Sequence, residues 1–138
     1  MPESMIGLQA ALDRALSPCS SLRVRAGRDL APFAAAPEAA EVLLGLLLDV
    51  ADTAVTRWTA EALARAGTVA AVRVIALALA EADDSHADWM QTGVQDVLWM
   101  QTGVPDVAAV CVQLARDGET AVRQGAAEIL AWTGDATR

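Results

Sequence analysis

Three aspartates, Asp49, Asp83 and Asp117, stand 34 residues apart, each just after an apolar run. A period of that length describes a chain made of stacked copies of one small unit, because a unit that size cannot bury its own apolar face alone. Pro37, Ala71 and Pro105 share one register. Proline in the first turn of a helix loses no needed hydrogen bond, so each position can open the second helix of a pair. The runs that follow, EAAEVLLGLLLD, VRVIALALAEAD and DVAAVCVQLARD, align without a gap and predict helices of about three turns.

The first helix of each unit has its own pattern: Leu22-Arg23-x-x-Ala26-Gly27-x-x-Leu30, Val55-Thr56-x-x-Thr59-Ala60-x-x-Leu63 and Val122-Arg123-x-x-Ala126-Ala127-x-x-Leu130, with a looser Trp89-Met90-x-x-Gly93-Val94-x-x-Val97. Large residues at the ends with small ones between let neighbouring helices approach closely. Gly67, Gly103 and Gly134 sit where left-handed caps would end helices, while Asp52-Thr53 and Asp83-Asp84-Ser85 offer N-caps. Pro32 should end or kink the helix that contains it. The expected map is a helix over 4–17, pairs at 21–34 and 37–49, 53–66 and 69–82, 85–102 and 105–116, and a last helix at 120–133.

This pattern resembles HEAT repeats, particularly the short bacterial variety also found in bilin-lyase-like proteins, over about residues 20–134. The resemblance implies an all-α, right-handed α-α superhelix of about three and a half helix pairs, used in that family mainly as a protein-binding scaffold and sometimes as an enzyme. The single domain would divide into an N-terminal cap (1–19), repeats at 20–50, 51–84 and 85–118, and a C-terminal cap (119–138). Tetratricopeptide and ankyrin arrays have similar periods, but their aromatic and T-P-L-H signatures are missing. Arginine is missing after Trp89, and the third unit is irregular. WMQTGVQDVL at 89–98 is also repeated at once as WMQTGVPDVA at 99–108. Ten residues turn a helix by about 1000°, so Trp89 and Trp99 cannot both occupy equivalent core positions; Trp89 is expected inside and Trp99 near the helix end.

Composition supports a packed helical chain: of 138 residues, 54% are hydrophobic, 20% are charged and 31 are alanine, with no tyrosine or asparagine. Eighteen acids oppose ten basic residues, all arginine, for a net charge of -8. Residues 1–80 carry net -1 and residues 81–138 net -7. Without a concentrated basic surface, nucleic acid is not expected as a partner. The longest uncharged apolar run, Val42 to Leu48, is too short to span a bilayer, so no membrane association is expected and the cytoplasm is the expected compartment. Cys19 and Cys111 form neither a disulfide framework nor a metal cluster. His86, the only histidine, lies in Asp83-Asp84-Ser85-His86-Ala87-Asp88; Asp84 and Asp88 share a helical face that His86 does not, so capping, not metal binding, is expected there. No nucleophile–base pairing or phosphate loop appears, so neither catalysis nor a cofactor is expected.

The second helices carry the functional signal. With Val42 at 0° and 100° per residue, their core stripe reads Ala39, Val42, Leu43, Leu46, then Arg73, Ala76, Leu77, Ala80, then Val107, Val110, Cys111, Leu114. The opposite side is also mostly apolar. Leu44, Leu48, Ile75, Leu79 and Val112 would form one strip on the concave surface, rimmed by Glu38, Glu41, Asp106, Gln113 and Arg116. The expected site is therefore Glu41, Leu44, Leu48, Ile75, Leu79, Val112, Gln113 and Arg116, and its expected role is binding an unidentified protein. Self-association into a homodimer, or cover by an N-terminal helix bearing Met5, Ile6, Leu8 and Leu12, would hide the same strip. Two other uses remain open: an acidic immunity or antitoxin-like protein neutralising a basic toxin, and a bilin-lyase-like or other enzymatic role.

Overall fold

The structure, a computed structural model, describes residues 3–99 and 106–136, with side chains over 7–99 and 106–133. It is all-helical, without strands among the described residues. The elements are α1 (Glu3–Ala15), α2 (Ser20–Leu30), a 3-10 turn (Ala31–Phe33), α3 (Pro37–Leu47), α4 (Thr53–Ala66), α5 (Val69–Glu81), α6 (Asp84–Leu98), α7 (Val107–Leu114) and α8 (Thr120–Ala136).

Local chemistry sets most of these boundaries. Pro32 has no amide hydrogen to donate, and α2 gives way to the 3-10 turn at Ala31. Asp52 caps α4 by accepting from Ala54 N, Thr68 caps α5 through Ala71 N, Asp83 caps α6 through His86 N, and Asp106 caps α7 through Ala109 N. Gly67 closes α4 at φ 63°, a left-handed conformation in which a side chain would clash. Gly134 does not end a helix, because α8 runs through it to Ala136. Gly103, Pro105 and most of the second WMQTGV copy lie outside the described residues.

α2, α4 and α6 pack side by side, each along the next, through spacing already visible in the sequence. Their buried stripes are Arg23, Ala26, Gly27, Leu30, then Val55, Thr56, Thr59, Ala60, Leu63, Ala64, then Met90, Gly93, Val94, Val97. In α2 and α6 the inner place is thus the second residue of the repeated pattern rather than the first, while α4 buries both, Val55 and Thr56. This corrects Trp89: Met90 is fully buried and Trp89 is 37% exposed. A Cβ on Gly93 would overlap the carbonyl of Arg57, so α4 and α6 touch backbone to backbone.

α8 does not continue that row. It packs chiefly on α5, then on α7, and only lightly on α6. Its inner stripe is Val122, Gly125, Ala126, Ile129 and Trp132, one residue out of the frame set by the other first helices, and Leu130 is left 38% exposed. Gly125 lies against the backbone of Ala76, where a Cβ would not fit. α6 and α7, though consecutive, scarcely touch among the described residues. α8 has taken the place beside α7 that a regular hairpin would give to α6.

Candidate functional site

The corners between units are fixed by the periodic aspartates. Asp49 receives Nε and Nη2 of Arg23 at 3.0 and 3.3 Å and the amides of Ala51 and Asp52 at 3.2 and 2.8 Å. Arg23 also donates to the Ser17 carbonyl at 3.0 Å. Asp117 is held by Arg73 Nε at 3.0 Å and by the Glu119 amide at 2.9 Å, and Arg73 reaches Glu119 as well. The Arg73 guanidinium keeps the Asp117 carboxyl below its usual range, and the two acceptors raise Arg73 in turn.

His86 ties two corners together. Its Nε2 lies 2.7 Å from the Asp49 carbonyl and its Nδ1 2.7 Å from Asp83 Oδ1. Both partners are acceptors, and only the imidazolium has a proton for each. The Asp49 carbonyl and then the Asp83 carboxylate raise the His86 pKa above its ordinary value, while the His86 amide and then its ring lower that of Asp83. The cluster is a cap and a cross-link, and no group of three metal-ligating side chains is present among the described residues. Cys111 is buried, and burial pushes its thiol up to about 11, so it is an unreactive core residue. Cys19 is exposed at the start of α2, where the amides of Leu22 and Ser21 lower its pKa.

The expected strip is broken in the middle. Ile75 is 1% exposed and belongs to the core, which removes it from any binding surface. Glu41, Val112, Gln113 and Arg116 are exposed, whereas Leu44, Leu48 and Leu79 are half-buried and packed on the core. The cause is the roll of α5. α3 buries Ala39, Leu43, Leu46 and Leu47, and α7 buries Val107, Cys111 and Leu114, close to their common frame, although Val42 and Val110 are only half-buried. α5 instead buries Ala71, Val72, Val74, Ile75, Ala76 and Ala78, an arc centred on Ile75 and about half a turn away. α8 lies along α5 and closes that side, so the cover comes from α8 and not from α1, which packs on α2 and α3.

The same roll opens a groove elsewhere. Between α3 and α5 lies a cavity of about 680 Å³ lined by Ala40, Glu41 and Leu44 on one wall and by Ala70, Val74 and Leu77 on the other. Only Glu41 and Leu44 were among the expected site residues. Arg73 also borders the groove, but its guanidinium is committed to Asp117 and Glu119. A sequence signal did exist: α5 has only Arg73 and Glu81 as polar residues in VAAVRVIALALAE, and a helix apolar all round is covered on more than one side.

The chain matches no family model, no curated protein and no solved structure. No helix among the described residues is long and apolar enough to cross a membrane.

Proposed function

We propose that this chain is a non-catalytic, HEAT-like interaction module that holds an apolar segment of another protein in the groove between α3 and α5. The observation that carries the reading is the groove itself. At about 680 Å³ it is large enough for several side chains, and its walls are aliphatic with one free carboxylate at the edge. Apolar anchors supply affinity in such a site and charged edges supply register. Glu41, with Glu38 one turn before it on α3, is exposed and takes part in no ion pair among the described residues. The occupant this favours is a short helix or extended strand with aliphatic anchors followed by a basic residue. The groove has no nucleophile beside a base, which supports binding rather than turnover.

The test fills the groove without emptying the core. Ala40→Glu and Ala70→Glu each project a carboxylate into it from a half-buried position. A panel of displayed peptides with aliphatic anchors and a basic flank should yield binders that both variants abolish while helical content is unchanged. Binding should also weaken with added salt. Peptides that bind wild type and both variants alike would remove the groove from the reading, and a concentration-dependent dimer lost in both variants would replace the foreign partner with a second copy of the chain.

A further inference from the structure

A second cleft, of about 520 Å³, lies at the crossing of α2 and α4 and shares no residue with the groove. Its chemistry is different. Arg28 and Pro32 come from the first unit, and Trp58, Glu61 and Arg65 from α4. Trp58 is 38% exposed, and its ring is fixed from one side: the Arg57 guanidinium sits 4.9 Å from the ring centroid and is anchored at 2.8 Å to Asp96 of α6. The indole is thus a pre-set platform rather than a loose surface side chain. Arg65 is held by Glu61, whereas Arg28 is exposed and has no hydrogen bond or ion pair among the described residues. Two guanidinium groups therefore face one carboxylate, on a chain whose net charge is -8.

A rigid indole beside an uncommitted, planar, five-donor cation matches a flat ligand with a single negative charge at one end. Apolar ring stacking and a forked guanidinium–carboxylate contact would be made together. Glu61 in the same wall disfavours a dianion such as phosphate. We propose that this cleft is a binding site for a planar aryl carboxylate, with Trp58 as the stacking surface and Arg28 as the carboxylate anchor.

Calorimetric titration with naphthalene-2-carboxylate and with its neutral amide tests this. The acid should bind at one site and the amide about tenfold more weakly, the worth of one charge-assisted hydrogen bond. Trp58→Leu should abolish binding, Arg28→Gln should weaken it about tenfold, and Trp89→Leu and Ala70→Glu should leave it unchanged. Equal binding of acid and amide, or full binding by Trp58→Leu with native helical content, overturns the proposal. If Trp58→Leu does not fold, Arg28→Gln decides alone: it changes an exposed side chain, and unaltered affinity for the acid would be a refutation. Ala70→Glu separates this site from the α3–α5 groove, because loss of groove peptides with retained acid binding leaves each claim standing or falling on its own.

Discussion

Asp49 and Asp117 occupy the same place in the 34-residue frame, yet they are secured by different means. Asp49 takes its arginine, Arg23, from the first helix of its own unit, and the pair is almost closed to solvent, with side chains 11% and 12% exposed. In the next two units the matching inner places hold Thr56 and Met90, so no arginine is offered there. Asp83 pairs with His86 instead, and Asp117 with Arg73 from the rolled α5, a pair that is more open on the arginine side. A periodic aspartate sets where the corner falls. What holds the corner depends on which cation the neighbouring helix supplies.

The two arginines should differ most. Arg23→Met should cost about 3 kcal/mol in urea unfolding, because it leaves a nearly buried carboxylate with two backbone amides and no cation, whereas Arg73→Met should cost less than about 1 kcal/mol at its wetter pair. Equal losses would mean that the two corners are equivalent after all. Next comes the roll of α5. Ile75→Ala should destabilise by about 3 kcal/mol as a core truncation, Leu79→Ala by about 1 kcal/mol, and Val112→Ala by too little to resolve. An Ile75→Ala loss no larger than that of Leu79→Ala would restore the expected strip. The helix crossings sharpen the contrast further. Gly125→Ala should cost about 2 kcal/mol because its new Cβ meets the Ala76 backbone, which cannot step aside. Gly27→Ala meets the Thr59 side chain rather than backbone, and because Thr59 is β-branched and fully buried the substitution should still cost about 1 kcal/mol, less than Gly125→Ala. The pH-dependent contribution belongs to His86. Its folded pKa is raised, so its contribution is complete below the unfolded pKa of about 6.5 and is lost as pH rises through the folded value. His86→Gln should remove about 1 kcal/mol at pH 6 and less at pH 9, read as the difference between two unfolding curves. A variant whose deficit is the same at both pH values would show that no proton is held there.

The parts of the fold legible in the sequence are those written by local rules. Pro32, Asp52, Asp83 and Gly67 each act on backbone within a few residues, and the helices begin or end where they stand. The 34-residue frame placed most of the inner faces of α3 and α7, although Val42 and Val110 are only half-buried and Leu47, outside the expected stripe, is fully buried. It failed at α5, where burial on several sides erases the amphipathic stripe and leaves nothing to orient the helix. It also failed at α6, where Trp89 and Met90 are both large and only the packing on α4 selects Met90. The groove was half legible: its α3 wall carries two of the expected residues, Glu41 and Leu44, while its α5 wall follows from an orientation of α5 that the frame did not give.

The backbone contact between Gly125 and Ala76 carries a consequence for how the molecule is made. Synthesis runs from α1 toward α8, so the Ile75 side of α5 emerges three helices before α8, which packs on it. Until α8 docks, a newly made chain carries a sticky aliphatic surface that the mature protein never shows. A ribosome stalled after α7 should therefore hold a nascent product that recruits holdase chaperones, and release of α8 should dismiss them.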